Sequence, residues 1–294
     1  MIKRAIMTAI ATSFTENISS KDGILSSHLI PSHSNQDYSW FWKDPKNNCI
    51  IVFGDGHGNN IVTQKIREYD FNKYIPIFDT LEPNNIIVDL QSILNTEISL
   101  ATSAKRSSGA TISVIIIKEN VVKMAWLGDS SILIFKNNKR IFKSKNHDLL
   151  NDKEVLGERS IRNDYSCEVD NNGNMVQIYK PYVQHSKYDT CVMTRALGHG
   201  NMTHNVADKV EIEIDQVSKW RIVGGSDGLH DVIGESDKDI QILTTKSAKE
   251  IAEIAQTRWS PDYIWNFIAA DGSVSKQSFG EKDRDDIVVV LWEN

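Results

Sequence analysis

Short runs of β-branched and aromatic residues recur along this chain, each bounded by turn-forming residues. Such runs are typical of β-strands. Many are separated by only a few residues, which favours antiparallel pairing because a parallel connection needs a much longer crossover. The sequence therefore predicts a protein built mainly on antiparallel sheets. The predicted strands are Tyr38–Trp42, Cys49–Phe53, Thr111–Ile117, Val121–Leu127, Ser131–Phe135, Met175–Tyr179, Thr190–Met193, Val210–Ile214, Arg221–Gly225 and Ile287–Trp292.

Two segments instead carry apolar residues at helical spacing. Asn84–Lys105 and Ser247–Arg258 each present one apolar face, which predicts amphipathic helices. Ser144–Ser160 looks irregular, with one or two helical turns, and Ser160–Asn174 reads as a polar loop. Because no repeat or linker divides the chain, we expect a single domain over residues 1–294, with sheets sandwiched by helices.

The charge balance argues against nucleic acid as a partner. The chain has 33 basic and 39 acidic residues, a net charge of −6, whereas nucleic-acid-binding surfaces are basic. The densest basic run, Lys136–Lys145, contains two asparagines between apolar segments. We interpret it as a solvated hairpin rather than a phosphate-binding patch.

Cysteine usage and apolar runs bear on the compartment. The three cysteines are widely spaced and form no C-x-x-C pair, which argues against disulfides and zinc and favours a reducing, cytoplasmic environment. The apolar segment Ala5–Ala11 is short and interrupted by Thr8, so we interpret it as a first strand rather than a signal peptide. No run approaches transmembrane length, so no membrane partner is expected.

Acidic residues lie at the ends of predicted strands in five separate loops. Each alone reads as a solvated turn residue, and the glycines around Asp55 suit a tight turn. Together, adjacent strand ends would bring several carboxylates into proximity, where they repel one another unless divalent cations offset the charge. The pattern predicts a metal site. The acids are Asp37, Asp55, Asp129, Asp227, Asp231, Asp285 and Asp286.

Six short motifs follow one another in a specific order. They are D-G-H-G at 55–58, S-G-A-T at 108–111, L-G-D-S at 127–130, T-R-A-L-G at 194–198, S-D-G-L-H-D at 226–231 and D-D-I-V-V-V at 285–290. Each motif alone is weak, but the ordered set resembles the metal-dependent protein serine/threonine phosphatases of the type 2C (PPM) family. The resemblance covers about residues 27–294. It implies an α+β fold, a four-layer αββα sandwich of two packed antiparallel β-sheets flanked by helices.

The resemblance also implies a metal centre that holds two Mn²⁺ or Mg²⁺ ions. Asp55 would bridge the ions, with the Gly56 carbonyl on one of them, and Asp227 and Asp285 would complete the other. Asp129 and Asp231 match positions that would hold a third, weaker ion beside Asp227. His230 lies between two of these acids and is a candidate neighbour of the site.

The implied reaction is hydrolysis of phosphoserine and phosphothreonine in phosphorylated proteins by a hydroxide bound to the two metal ions. Asp37 resembles the acid that orients the attacking water, and His57 resembles the general acid that protonates the leaving alkoxide. No phosphoenzyme is required, and the absence of a C-x-x-x-x-x-R loop agrees with this. We expect the protein to act as a monomer.

Four positions depart from the family pattern. Ser32 replaces an Arg that grips phosphate, with His33 beside it, and Gln36 replaces a Glu. Asp286 stands where Asn is usual and would either return charge to the site or be partly neutralised by Arg284, and His199 stands where Asp is usual. Three functions stay open. They are an active phosphoprotein phosphatase, a catalytically impaired homologue that acts as a regulatory or phosphoprotein-binding module, and a metal hydrolase acting on small phosphoesters.

Overall fold

The described strands form two large antiparallel sheets of six and five strands, a separate mixed sheet of five strands and a three-stranded sheet. The computed structural model describes residues 14–20, 23–97, 108–152, 161–184, 190–199 and 203–294. The strands are β1 Phe14–Ser20, β2 Gly23–Ile30, β3 Tyr38–Lys43, β4 Cys49–Gly54, β5 Gly56–Gly58, β6 Ser108–Ala110, β7 Ile112–Lys118, β8 Val121–Leu127, β9 Ser131–Lys136, β10 Lys139–Lys143, β11 Ile161–Val169, β12 Met175–Gln184, β13 Thr190–Cys191, β14 Leu197–Gly198, β15 Asp208–Glu213, β16 Trp220–Gly225, β17 Trp265–Ile268, β18 Val274–Gln277 and β19 Ile287–Glu293. The helices are α1 Ile61–Arg67, a 3₁₀ helix Phe71–Thr80, α2 Pro83–Glu97, α3 Asp227–His230, α4 Asp237–Thr245 and α5 Ala248–Arg258.

The two large sheets pack face to face and are covered by helices on their outer faces. The first has the order β1-β2-β19-β16-β9-β10 and the second β15-β8-β7-β4-β3. In β4, Ile51 and Phe53 point into the core between the sheets, whereas Ile50 and Val52 face α2. Likewise β19 turns Val288, Val290 and Trp292 inward, whereas Ile287, Val289 and Leu291 face α5. This two-residue alternation buries both faces of the central strands, and confirms the predicted four-layer sandwich.

Each strand predicted between Tyr38 and Trp292 coincides with an observed one, although Met175–Tyr179 extends to Gln184 and Thr190–Met193 ends at Cys191. The basic run forms the β9–β10 hairpin, as predicted. Its turn residues Asn137 and Asn138 both have positive φ, which asparagine tolerates and tight hairpins require.

The prediction of a polar loop over Ser160–Asn174 is wrong. Most of this segment forms β11, which pairs with β12 along its whole length. β11 is an edge strand of a separate sheet, β11-β12-β17-β18, and does not contribute to the sandwich core. It therefore lacks the apolar alternation that signals a buried strand.

The helix predicted over Asn84–Lys105 is observed as α2, which ends at Glu97, and the rest of that prediction lies outside the described residues. The strand predicted at Ala5–Ala11 also lies outside them. Ser247–Arg258 forms α5, which Ser247 caps by accepting from the backbone N of Glu250. Within the described residues, no helix is long and apolar enough to cross a membrane.

Candidate active site

The strand-end acids meet at one edge of the sandwich because three strands end or begin there. β16 and β19 are antiparallel neighbours, so Asp227, just after β16, lies beside Asp285, just before β19. β4 packs across from β16 so closely that a side chain at Gly224 would lie 2.3 Å from the Phe53 ring. Asp55, which follows β4, therefore reaches the same edge from the opposite sheet.

The charges of these acids act on one another. Burial raises the pKa of Asp55 well above its ordinary value, and the carboxylates of Asp227 and Asp37 raise it further. Burial and the Asp227 charge raise the pKa of Asp285 to about 7. The structure thus brings together Asp37, Asp55, Asp227 and Asp285, four of the predicted site residues.

Asp37 is held from the neighbouring sheet by a serine. Ser226 Oγ donates to Asp37 Oδ2 at 2.6 Å. The other oxygen, Oδ1, is buried and has no hydrogen-bond partner among the residues that the structure describes. Burial raises the pKa of Asp37 well above its ordinary value, the side chains of Asp55 and Ser226 offset part of this rise, and the charges of Asp286 and Asp227 add to it.

Two motif residues fix the loop that carries Asp55. The backbone N of Asp55 donates to Thr111 Oγ1 at 2.8 Å, and the backbone N of Thr111 donates to the Asp55 carbonyl at 2.8 Å. Thr111 Oγ1 also lies 2.5 Å from Ser130 Oγ. A side chain at Gly54 would come within 2.3 Å of the Thr111 carbonyl, so this close approach requires glycine. The S-G-A-T and L-G-D-S motifs therefore position the D-G-H-G loop.

The donor chemistry of this cluster fits divalent cations. Carboxylate oxygens are the ligands that Mg²⁺ and Mn²⁺ prefer, and a cation would relieve the repulsion that raises these pKa values. Among the described residues, however, no three acidic, histidine or cysteine side chains already surround one point as metal ligands do. The residues suit the ions, but their arrangement around an ion is not preformed.

His57 lies beside the acids on β5, which pairs with β6. Its Nδ1 is 4.0 Å from Asp55 Oδ2, too far for a hydrogen bond. Neither ring nitrogen has a hydrogen-bond partner among the described residues. The ring stacks on His199, with 4.5 Å between centroids. Burial, and secondarily the charge of His199, lower the pKa of His57 well below its ordinary value.

A cavity of about 690 Å³ opens onto this edge. Of the predicted metal-binding acids, it is lined by Asp55, Asp129, Asp227 and Asp231. The Asp129 charge contributes to the raised pKa of Asp285, and Asp231 contributes to the raised pKa of the Cys167 thiol on β11. The predicted third-ion acids therefore lie at the cavity wall, between the sandwich and the sheet that contains β11.

The Asp286 carboxylate binds the segment 32–36, which contains two of the departures from the family pattern, Ser32 and Gln36. The carboxylate accepts from the backbone N of Ser32, from Ser34 Oγ at 2.7 Å and from the backbone N of Gln36 at 2.6 Å. Burial alone would raise the Asp286 pKa, but these hydrogen bonds hold it below its ordinary value. Arg284 instead donates to the Pro31 carbonyl at 3.1 Å.

Gln36 has a structural role. Its side-chain Nε2 donates to the Gly58 carbonyl at 2.9 Å and to Asn60 Oδ1 at 2.7 Å. These bonds tie the segment before β3 to the end of β5, and so to the loop that carries His57. The Gln36 amide therefore helps to fix the position of the loop that carries His57.

Sequence reasoning missed three kinds of contact. Ser226 was visible only as part of a motif, although a serine before a short helix signals an N-cap. Thr111 and Ser130 end their motifs and gave no separate signal. Arg140 and Lys143 were interpreted as solvated residues of a hairpin, yet both line the cavity.

The family model of protein phosphatase 2C matches residues 13–257 of this chain. A probable protein phosphatase 2C 7 from Oryza sativa subsp. japonica is 26% identical over 80% of this chain and 62% of its own length. A probable protein phosphatase 2C 76 from Arabidopsis thaliana is 23% identical over 74% of this chain and 50% of its own length. The chain thus spans half to about three fifths of the length of these curated relatives.

Solved structures share the fold at low sequence identity. A serine-threonine phosphatase 2C from Toxoplasma gondii matches with a TM-score of 0.58 at 11% identity, over 96% of this chain and 99% of that one. A serine/threonine phosphatase from S. agalactiae matches with a TM-score of 0.53 at 16% identity, over 95% of this chain and 99% of that one. With the family model matching most of its length, the chain belongs to the protein phosphatase 2C family.

Proposed function

We propose that this protein is a metal-dependent phosphatase that hydrolyses phosphoserine and phosphothreonine in other proteins. The observation that carries the proposal is the convergence of four acids from separate loops beside His57 at the edge of a cavity, where the pKa values of Asp37, Asp55 and Asp285 are raised. Clustered acids of this kind are costly to a fold unless they bind cations.

Asp55 and the Gly56 carbonyl would hold one ion, and Asp55, Asp227 and Asp285 the other. The candidates for a weaker third ion are Asp129 and Asp231. When bound, Mn²⁺ or Mg²⁺ would offset the phosphoryl charge and make water a better nucleophile.

Two further side chains would handle protons. Asp37 is fixed by Ser226 through one oxygen, so its second oxygen can accept a hydrogen bond from the attacking water and orient it. His57 has both ring nitrogens available and would protonate the serine or threonine oxygen as it leaves. Burial lowers the pKa of this ring in the metal-free protein, so the role requires the negative charges of Asp55 and of the bound phosphoryl group to favour the protonated imidazolium.

Catalytic impairment is the second candidate function. Ser32 supplies no charged donor for phosphate, and its backbone N is held by Asp286. The Gln36 amide is bound to Gly58 and Asn60. A protein with these features could retain phosphoprotein binding without turnover.

Turnover of phosphothreonine peptides with and without Mn²⁺ separates the two. We expect activity at millimolar Mn²⁺ or Mg²⁺, loss of activity in excess EDTA, and near-complete loss in Asp55→Asn with the fold retained by circular dichroism. Asp44→Asn, which changes an acid in the β3–β4 turn, is the matched control. No turnover with any cation would favour the impaired homologue, and full activity in EDTA would contradict the metal-dependent function.

A further inference from the structure

The cavity extends beyond the acid cluster to two basic side chains on β10. Arg140 and Lys143 line the same cavity as Asp55 and His57. Arg140 Nη1 lies 2.6 Å and Lys143 Nζ lies 3.0 Å from the same oxygen, Glu235 Oε1. Two positive charges share one carboxylate, so this group of three side chains has a net charge of 2 − 1 = +1.

Strand register places the basic pair near the acids. Lys143 pairs with Leu133 on β9, and Ser131, which begins that strand, pairs with Gly225 at the end of β16. With a rise of about 3.3 Å per residue and about 4.8 Å between strands, two strand spacings and two residues put Lys143 roughly 12 Å from Gly225, and Asp227 follows two residues later. Extended peptide covers this distance in about four residues.

The three charged side chains are accessible enough to exchange partners. The exposed fractions are 30% for Arg140, 44% for Lys143 and 35% for Glu235. Ion pairs at this exposure are weak, so a substrate anion can replace Glu235 without a large cost. The alternative role of these pairs is structural, namely to tie the β9–β10 hairpin to the loop after α3.

We propose that Arg140 and Lys143 form a subsite for an acidic side chain of the substrate, a few residues from the phosphorylated one, with Glu235 as the counter-ion that the substrate displaces. The inference rests on the proposed phosphatase function and specifies its substrates as acidic phosphopeptides. Arginine and lysine together suit a carboxylate, since arginine offers a planar fork of donors and lysine a point charge.

A pair of phosphothreonine peptides tests the subsite. One carries glutamates within four residues on both sides of the phosphothreonine, and the other carries glutamines there. We expect the wild-type ratio of kcat/KM, acidic over neutral peptide, to be about threefold to tenfold and to fall at high salt. The ratio should approach one in the double variant Arg140→Gln/Lys143→Gln and rise in Glu235→Gln.

Lys123→Gln is the matched control, because Lys123 is likewise a partly exposed lysine paired with acids, 2.6 Å from Glu82 Oε1 and 3.7 Å from Glu211 Oε2, but it does not line the cavity. It should keep the wild-type ratio. A wild-type ratio of one, or an unchanged ratio in the double variant, overturns the proposal. If the double variant unfolds, the single variant Lys143→Gln gives the same comparison.

A measurement of peptide binding distinguishes failure of the subsite proposal from failure of the proposed phosphatase function. If the wild-type protein turns over neither peptide, fluorescence anisotropy of the same labelled peptides measures the subsite alone. Tighter binding of the acidic peptide, lost in the double variant, supports the subsite even without turnover. Equal binding of both peptides overturns it.

Discussion

The imidazole rings of His57 and His199 stack on each other beside β6, whose Gly109 places no side chain between them. The interplanar angle is 30° and the centroids are 4.5 Å apart. Gly109 of β6 makes room, since a side chain there would lie 2.2 Å from His199 and 2.9 Å from His57 Nε2. The backbone N of His199 donates to the Ser108 carbonyl at 2.9 Å. The departure from the family pattern at 199 therefore contacts the proposed general acid directly.

We expect the effect of His57→Ala to depend on the leaving group. If His57 protonates the departing oxygen, the variant should lose about 10²–10⁴-fold in kcat on phosphothreonine peptides. Nitrophenyl phosphate needs no proton on its leaving group and should lose much less. Equal losses on both substrates, measured at saturating Mn²⁺, would mean that His57 only supports the turn.

His199 should act on the same step through the position of the His57 ring. His199→Ala removes the stacked ring, so we expect a loss on phosphothreonine peptides that exceeds the loss on nitrophenyl phosphate, in the same sense as His57→Ala but smaller. His199→Phe keeps an aromatic surface and should recover part of this loss. If His199→Ala and His199→Phe lose activity equally on both substrates, His199 does not orient His57.

The raised pKa of Asp285 predicts how stability depends on pH. The pKa of an aspartate is about 4 in an unfolded chain, whereas that of Asp285 is about 7 in the folded protein. Between these two pH values the folded protein therefore binds more protons than the unfolded chain. The free energy of unfolding of the metal-free protein should therefore fall as pH rises through this interval. Mn²⁺ binds the ionised form, so it should raise Tm more at pH 8 than at pH 5.

Thermal unfolding in EDTA and in Mn²⁺ at both pH values measures this effect. Asp285→Asn is the matched variant, since it removes the titrating group and keeps the shape. Its Tm in EDTA should fall less between pH 5 and pH 8 than that of the wild-type protein. Identical changes in the two proteins would contradict the assignment to Asp285.

The central strands were predictable because their residues alternate between two buried faces, as in β4. β2 was not predictable, because its buried positions include Ser26, Ser27 and His28. These polar residues lie between β1 and β19 in the sheet, and they interrupt the apolar pattern that signals a strand. β18 was also missed, since all four of its side chains are exposed.

The acids of the candidate site were predictable because each lies at a strand end, and strand ends can be recognised in the sequence. The hydrogen bonds between loops were not predictable. Ser226 donates to Asp37 across 189 residues of chain, and Gln36 donates to Asp286 across 250. Such pairings depend on how the two sheets pack, and a single sequence contains no local signal for them.

Asp286 should contribute to stability through the backbone that it binds. Asp286→Ala leaves the buried N–H of Gln36 without its acceptor, which typically costs about 1–3 kcal/mol. Asp286→Asn retains an acceptor oxygen and should cost less. Urea unfolding of both variants measures the difference. A wild-type stability for Asp286→Ala would show that water replaces the carboxylate at this position.

Ser32→Arg tests whether the absence of a phosphate-binding arginine weakens substrate binding. The expected result depends on Asp286. The backbone N of Ser32 already contacts the Asp286 carboxylate, and the lowered pKa of Asp286 keeps that carboxylate ionised. A new guanidinium at position 32 would therefore pair with Asp286 instead of reaching the phosphoryl group. We expect Ser32→Arg alone to improve kcat/KM only slightly.

In the Asp286→Asn background the same arginine has no such competitor. A charge-assisted hydrogen bond contributes about 1.5–3 kcal/mol, so Ser32→Arg should then improve kcat/KM on phosphopeptides by about tenfold to a hundredfold. The four proteins form a double-mutant cycle, and a positive coupling between positions 32 and 286 is the expected result. Equal gains in both backgrounds would show that Asp286 does not capture the arginine. No gain in either would mean that phosphate is already held by another cation, for which His33→Ala is the next measurement.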